Sequence, residues 1–330
     1  MDDRCTPDQG PAKQASTAFT PPDMGIWQGR VDPEPDSERW HQRIAPYHHD
    51  AEPGVVLLGF ASDAGVARNQ GRIGAADAPQ AIRRALAPMA WHRSGPAFDA
   101  GDVSCQGDDL EQAQAELGDR IAPLLDAGQL PVVLGGGHEV AYASWLGLSQ
   151  HLRGRERRPV VGIINLDAHF DLRDPAVTTS SGTPFAQIAN DCARMRWPFR
   201  YACLGVSEAA NTKALFDTAK RLRVLVHQDR DFRDSHIATI TRDVQRLVAS
   251  CDHLYLSIDM DVFPASDAPG VSAPASRGVV LPHLEPILDC LRQSGKVRLI
   301  DIAEVNPAYD IDQRTARLAA RLVHQLTRGH

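Results

Sequence analysis

Several features that assign a protein to a specialised class are missing from this 330-residue chain. Its six cysteines are far apart and form no Cys-x-x-Cys pair, so the sequence shows no zinc-finger or redox motif and no small disulfide framework. No apolar run approaches the ~20 residues that a transmembrane helix needs. The net charge of −7 argues against partners such as nucleic acid or an anionic membrane.

The N-terminus also lacks a targeting signal, because it begins with acidic residues and has no apolar core. We therefore expect a cytoplasmic protein with reduced, mostly buried thiols. Residues 1–50 contain seven prolines and little periodicity. We interpret them as an N-terminal extension, laid over the surface or partly disordered, followed by a single domain at residues 51–330.

The domain itself has an ordinary globular composition, with 43% hydrophobic and 23% charged residues. Short apolar runs alternate with stretches of helical periodicity, which predicts an α/β fold with a mostly parallel sheet covered on both faces. The predicted strands are residues 55–60, 130–134, 160–166, 201–206, 223–226, 253–258 and 297–302. The predicted helices include residues 79–86, 110–127, 237–250, 284–292 and 315–327.

Polar side chains that bind metals follow three of the predicted strands. Residues two apart on a strand point to the same face, and ligands bind beyond the carboxyl ends of parallel strands. Carboxylates placed so close together repel one another unless a cation lies between them. The candidate metal ligands are His138, Asp167, His169, Asp171, Asp259 and Asp261.

The composition of this set indicates the metal. Two imidazoles and four carboxylates suit Mn²⁺, whereas a Zn²⁺ site usually recruits thiolate. Six ligands are too many for one ion that keeps an open position, and two bridged ions about 3.5–4 Å apart fit the number. The glycines at 135–137 also suit a phosphate-binding loop, although the P-loop pattern is absent, and each Asp motif alone also suits a capped turn or a solvated strand end.

A fourth strand end carries Glu304, which lies outside the metal set. A carboxylate matches the planar N–C–N fork of an amidinium or guanidinium group. The alternative is a charged residue that caps the following segment. We favour substrate binding, because the other strand ends converge on the same region.

These motifs resemble those of the ureohydrolases, the family of arginase, agmatinase and formimidoylglutamase. The resemblance spans about residues 55–325. It implies a three-layer α/β/α, arginase-like fold, a dinuclear Mn²⁺ centre held by the six residues above, and a homo-oligomer. The matching segments are Gly-Gly-x-His at 135–138, Asp-Ala-His-x-Asp at 167–171, Ser-x-Asp-x-Asp at 257–261 and Glu-x-Asn-Pro at 304–307.

Within the family, the variant segments are most similar to those of formimidoylglutamases of histidine degradation. The histidine that arginases and agmatinases carry near residues 181–185 is absent, since this segment is Ser-Gly-Thr-Pro-Phe. Gly137 stands where those relatives have Asp, and the Pro-Gly-Thr-Gly loop is replaced at 269–272. These departures argue against arginine or agmatine as the substrate and leave the proton donor to the leaving amine unassigned. The segments that carry the similarity are residues 59–65, 68–72, 135–139, 181–185, 269–274 and 301–304.

The resulting hypothesis is hydrolysis of N-formimidoyl-L-glutamate, a small-molecule substrate, to L-glutamate and formamide. Two Mn²⁺ ions activate a bridging water that attacks the amidine carbon. Glu304 orients the amidinium, and Asp171 accepts the proton of the water and returns it to the departing amine. Arg173 is the first candidate for the substrate carboxylates, followed by Arg72, Ser181 and Thr183.

Three alternatives stay open at this point. A ureohydrolase of another guanidino acid, such as guanidinobutyrate, would release urea instead of formamide. A deacetylase with a single zinc ion would leave the carboxylates of Asp259 and Asp261 without a second ion to hold. A non-catalytic metal-binding scaffold would have no use for the carboxylate of Glu304.

Overall fold

The computed structural model describes residues 17–329, which contain ten strands and ten helices. The strands are β1 (Thr17–Thr20), β2 (Ala45–Pro46), β3 (Val55–Ala61), β4 (Ala97–Cys105), β5 (Leu130–Leu134), β6 (Val161–Leu166), β7 (Arg200–Val206), β8 (Leu225–Gln228), β9 (His253–Asp259) and β10 (Val297–Ala303). The helices are α1 (Trp40–Arg43), α2 (Ala64–Arg68), α3 (Ala78–Leu86), α4 (Leu110–Asp126), α5 (Val140–Leu152), α6 (Pro184–Met195), α7 (Lys213–Arg221), α8 (Asp234–Ala249), α9 (Leu281–Gln293) and α10 (Arg314–Thr327).

The strands form a single sheet in the order β1-β4-β3-β5-β10-β9-β6-β7-β8, and β2 also pairs with β4. β1 runs antiparallel to β4, whereas the other paired strands are parallel. The mostly parallel sheet is confirmed. All seven predicted strands are present, with ends that differ by at most two residues.

Successive side chains along each strand point to opposite faces of the sheet, so the hydrophobic core has one half on each face. Leu57 and Ile164 pack on one face with helices α1, α3, α8, α9 and α10. Leu58 and Ile163 pack on the other face with α2, α4, α5, α6 and α7. The structure therefore has the three-layer α/β/α architecture. Within residues 17–329, no helix is both long enough and apolar enough to cross a membrane.

The sequence pattern did not predict β4, because this strand carries buried acids instead of a continuous apolar run. Asp99 is fully buried, and its carboxylate accepts two hydrogen bonds of 2.9 Å from the guanidinium of Arg83. The indole of Trp27 donates a third, also at 2.9 Å. A buried carboxylate is tolerated in a strand when charged and polar donors satisfy it in this way.

The N-terminal part of the described chain adds to the same sheet and core. β1 pairs with β4 at the sheet edge, and Trp40 is fully buried with its ring edge-on to Trp91 at 5.1 Å. Residues 1–16 of the expected extension, including Cys5, lie outside the described residues, and the domain boundary at residue 50 stays a prediction. The described cysteines are unpaired, and Cys192, Cys203 and Cys251 are buried.

Candidate metal centre

Four adjacent strands in the middle of the sheet carry the candidate residues at their carboxyl ends. The order β5-β10-β9-β6 places the segments that follow these strands side by side. The register aligns Asp301 of β10 with Ser257 of β9, and Ser257 with Asn165 of β6. Because parallel strands end at the same edge, residues more than 160 positions apart in sequence, such as His138 and Glu304, come together.

His138 lies at the centre of the first ligand group. Its Nδ1 atom is 2.8 Å from Oδ2 of Asp171 and 3.1 Å from Oδ2 of both Asp167 and Asp259. Among the described residues, this buried Nδ1 makes no hydrogen bond of acceptable geometry. The three oxygens and the nitrogen lie close enough together to surround one cation.

His169 forms the second ligand group with two aspartates. Its Nδ1 atom is 2.9 Å from Oδ2 of Asp261 and 3.5 Å from Oδ1 of Asp167. Asp167 therefore presents one oxygen to each group, as expected of a carboxylate that bridges two ions. The structure brings all six predicted ligands together, and their assignment as ligands stays a prediction.

Backbone amides hold the aspartates in place. Asp167 accepts a hydrogen bond from the amide of His169 at 2.6 Å, and Asp261 accepts one from the amide of Ala168 at 3.2 Å. The amide of Asp261 donates to Asp259 at 2.8 Å, where the chain turns into a short 3₁₀ segment. These contacts fix the carboxylates before any cation binds.

The electrostatics of the cluster favour a cation. Burial raises the pKa of Asp171 to about 6 and also raises the pKa values of Asp259 and Asp261, with further increases from neighbouring carboxylates. Burial opposes ionisation of Asp167 too, but hydrogen bonds from the two imidazoles lower its pKa overall. Within residues 17–329, no Lys or Arg forms an ion pair with these four carboxylates. A divalent cation is the group that this donor set fits.

Glu304 faces the cluster without joining it. Its Oε1 atom accepts a hydrogen bond from the amide of His138 at 3.0 Å, while its buried Oε2 atom has no partner among the described residues. Burial, together with the nearby carboxyl of Glu139, raises the pKa of Glu304 to about 8. Glu304 and Asp171 also have φ angles of 66° and 48°, in the left-handed region that non-glycine residues rarely adopt.

Glu139 is a residue of the site that the sequence did not single out. It is fully buried, and its Oε1 atom accepts hydrogen bonds from the amide of Gly65 at 2.9 Å and from the hydroxyl of Ser62 at 3.1 Å. A Cβ atom at Gly137 would overlap Oε2 of Glu139 and a methyl group of Val66. The glycine at position 137 is therefore required by the side chain of Glu139.

A cavity of about 330 Å³ opens above the metal-ligand cluster. Ser181 lines it, with its hydroxyl accepting a hydrogen bond of 3.2 Å from Asn69. Arg72 lines it too, but its guanidinium donates to the carbonyls of Val271 and Ser272 and stacks on a tyrosine ring. Two nitrogens of Arg72 thus hold the loop at 269–274, which leaves fewer of its N–H groups free to bind a ligand.

Arg173 differs from Arg72, because its exposed guanidinium makes no hydrogen bond or ion pair with the part of the chain that the structure describes. It lines the metal cavity and also a neighbouring cavity of about 650 Å³. Thr183 lines only the neighbouring cavity, and its hydroxyl is bonded to Ser180 and Gln187 at the start of α6. The structure does not bring Thr183 to the metal cavity.

Asn211 is a second residue that the sequence did not indicate. Its side chain accepts a hydrogen bond of 3.1 Å from the amide of Phe170 and donates one of 2.8 Å to the carbonyl of Ala168. It therefore holds the backbone of the segment that carries His169. No local pattern marks Asn211, because both contacts span more than 40 residues.

A family model described as the Arginase family matches residues 53–328. The chain belongs to the arginase family. It is 55% identical over 313 residues to the formimidoylglutamase of Aeromonas hydrophila, an alignment that covers 93% of this chain and 98% of the relative. The family predicted from the motifs and the similarity to formimidoylglutamases are both confirmed.

Solved structures support the same fold. The formimidoylglutamase of Bacillus subtilis superposes with a TM-score of 0.80 at 25% identity and covers 91% of this chain and 94% of that one. A formiminoglutamase of Trypanosoma cruzi, solved with Mn²⁺, has a TM-score of 0.73 at 24% identity over 83% of this chain and 92% of that one. The arginase-like fold is confirmed.

Proposed function

We propose that this chain hydrolyses N-formimidoyl-L-glutamate to L-glutamate and formamide. It is a hydrolase of linear amidine C–N bonds, in line with its family and its relatives. One observation carries the proposal: Glu304, whose Oε2 atom has no partner among the described residues, lines the same cavity as ligands from both groups. This cavity combines a site for two cations with a receptor for an amidinium.

The ligand roles follow from the two groups. His138, Asp167, Asp171 and Asp259 would hold one ion, and Asp167, His169 and Asp261 would hold the other. Mn²⁺ suits these oxygen and imidazole donors, and the formiminoglutamase of T. cruzi was solved with it. When bound, two such ions would supply Lewis acidity that lowers the pKa of a water molecule at this site.

Glu304 orients the substrate. Its Oε1 atom is held by the amide of His138, so the free Oε2 atom points in a fixed direction. An amidinium N–H that donates to Oε2 places the amidine carbon over the cluster, and the negative charge of Glu304 balances the cation. The carboxylate of Glu304 thus binds and orients the substrate.

Asp171 moves the proton. Its side chain opens slightly to the cavity, with 11% of its surface exposed, whereas the side chain of Asp167 is fully buried. A carboxylate oxygen of Asp171 accepts the proton of the attacking water and returns it to the amine nitrogen as the C–N bond breaks. The products are glutamate, with a free amine, and formamide, which keeps the oxygen of the water.

Arg173 binds a carboxylate of the glutamate part. The metal cavity is lined by acids, and the neighbouring cavity adds the guanidinium groups of Arg68 and Arg221. Arg68 is paired with Asp108 and Glu111, whereas Arg173 is unpaired within residues 17–329. An unpaired guanidinium at the boundary of the two cavities suits a substrate with a cationic head and an anionic tail.

The decisive experiment is product analysis with Mn²⁺-loaded protein. We expect formamide and glutamate from N-formimidoyl-L-glutamate, with no urea from guanidinobutyrate or arginine. Urea from a guanidino acid, with no turnover of the formimidoyl compound, would overturn the substrate assignment. Metal binding without turnover of any of these compounds would favour a non-catalytic scaffold.

The cellular setting is also part of the proposal. We propose a homo-oligomer that acts in the cytoplasm in histidine degradation. Its single catalytic domain comprises residues 51–330, preceded by an N-terminal extension whose described part joins the sheet and core of that domain. Family resemblance supports the oligomer and the pathway. Light scattering on purified protein tests the oligomer, and a single monomeric species would contradict it.

A further inference from the structure

His138 makes a second contact, on the side of its ring that faces away from the other ligands. Its Nε2 atom lies 2.9 Å from the hydroxyl of Ser257, and that hydroxyl donates to Oδ1 of Asp301 at 2.6 Å. The hydroxyl of Tyr255 donates to the other oxygen of Asp301. All four side chains are at most 1% exposed.

The sheet itself builds this chain of hydrogen bonds. Tyr255, Ser257 and Asp259 alternate along β9 with one residue between them, so they share a face of the sheet. Asp301 is the direct partner of Ser257 in the register between β9 and β10. The same strand that supplies the ligand Asp259 therefore also supplies the contact that holds His138.

We infer that Ser257 and Asp301 are positioning residues that fix the orientation and tautomer of His138 for metal binding. The inference rests on the ligand roles in the proposed function. Asp301 has only acceptor oxygens, so Ser257 donates its proton to Asp301 and accepts one from Nε2 of His138. With a metal ion bound, the proton of the neutral imidazole would thereby be held on Nε2, and Nδ1, which faces three carboxylates, would offer its lone pair to the ion.

The burial of Asp301 supports a specific role over general stabilisation. Within residues 17–329 its carboxylate forms no ion pair, and its side-chain partners are hydroxyl groups. A buried carboxylate without a cation costs free energy that an apolar residue of similar size would avoid. The hydrogen bond that Asp301 accepts from Ser257, which in turn contacts His138, gives this buried carboxylate a function.

Metal binding tests this inference. In Mn²⁺ titrations of metal-free protein by calorimetry, we expect two tight ions in the unmodified chain. In Ser257→Ala, and in Asp301→Leu, which keeps a similar side-chain volume but has no acceptor for Ser257, the ion of the His138 group should bind about 10- to 100-fold more weakly. The ion held by Asp167, His169 and Asp261 should keep its affinity, because His138 does not belong to that group.

Asp191→Leu is the matched control. Asp191 is also a buried carboxylate. It accepts hydrogen bonds from Trp145 and Tyr142 and pairs with the exposed Arg194, without contacting a candidate ligand. We expect this variant to lose thermal stability but to bind both ions normally. If one of the two variants, Ser257→Ala or Asp301→Leu, does not fold, the other decides.

Two results would overturn the inference: unchanged affinity for both ions in the folded variants Ser257→Ala or Asp301→Leu, or an equal loss at both groups. These outcomes differ from a failure of the proposed function. Should the unmodified chain bind two ions without releasing formamide, the substrate assignment fails and the positioning role of Ser257 and Asp301 is still measured by the titration.

Discussion

The backbone amide of His138 donates a hydrogen bond of 3.0 Å to Oε1 of Glu304. This contact ties the residue proposed to receive the substrate to a residue proposed to hold a metal ion. The two carboxylate oxygens of Glu304 therefore differ. Oε1 accepts this hydrogen bond, whereas Oε2 has no partner among the described residues. The position of the free oxygen is therefore set by the same loop that places the imidazole.

Replacing Glu304 by Gln should keep this loop and remove the charge. The amide oxygen of Gln still accepts from His138, but an NH₂ group replaces the free oxygen and repels an amidinium. We expect kcat/KM for N-formimidoyl-L-glutamate to fall by about 10²-fold or more. Bound Mn²⁺ should stay at the level of the unmodified chain, and unchanged kcat/KM would remove Glu304 from the substrate-binding set.

Arg173→Ala should act on substrate binding. Loss of a charge-assisted hydrogen bond costs about 1.5–3 kcal/mol, so we expect KM for the diacid to rise about 10- to 100-fold with little change in kcat. Arg246→Ala is the control, because Arg246 lies on α8 and is paired with Asp243. Steady-state kinetics of both variants provide the measurement, and an unchanged KM in Arg173→Ala would contradict the role.

The sequence predicted the six ligands because each motif is local. Residues two apart on a strand share a face, and the strand ends of a parallel sheet converge without further information. Glu139 and Asn211 could not be found in this way, since their contacts join segments that are far apart in the chain. The hydrogen bond from Gly65 to Glu139, for example, spans 74 residues.

Contacts between distant segments also explain two other differences between the sequence predictions and the structure. The sequence predicts Arg72 as a cation that is free to bind substrate, yet its guanidinium donates to backbone carbonyls about 200 residues away. β4 carries Asp99 and Asp102, and their pairing with Arg83 of α3 helps to stabilise a strand of this composition. Apolar periodicity predicts which elements exist, whereas polar contacts between distant segments depend on the complete fold.

Gly137→Ala should destabilise the protein. The added methyl group would overlap the carboxyl of Glu139 and the side chain of Val66. Overpacking of this kind typically costs about 1–3 kcal/mol of the free energy of unfolding. Chemical denaturation of the metal-free variant measures the loss, and a stability equal to that of the unmodified chain would show that the loop moves freely.

Stability without metal should decrease as the pH rises. Burial raises the pKa of Glu304 to about 8 and that of Glu139 to about 7, each from an ordinary value of 4.5. These carboxyls bind protons more tightly in the folded than in the unfolded chain, so their contribution to the free energy of unfolding is lost as the pH rises from about 4.5 to about 8.

Mn²⁺ should oppose this trend, because it competes with protons for the ligand carboxylates. We expect the increase in Tm on adding Mn²⁺ to be larger at about pH 8 than at about pH 6. Thermal denaturation with and without the ion provides both curves. A metal-free Tm that is constant or rises over this range would contradict the assignment of raised pKa values.

Because Asp167 belongs to both ligand groups, we expect its substitution to weaken more metal ions than substitution of a ligand that belongs to one group. Asp167 presents Oδ2 to the His138 group and Oδ1 to the His169 group, whereas Asp261 belongs only to the second. Asp167→Asn should therefore weaken both ions, and Asp261→Asn should weaken one and leave the other. Metal analysis after dialysis against a weak chelator distinguishes the two patterns. Equal retention of metal by both variants would mean that Asp167 does not bridge the ions, and a mononuclear centre would then explain the cluster better.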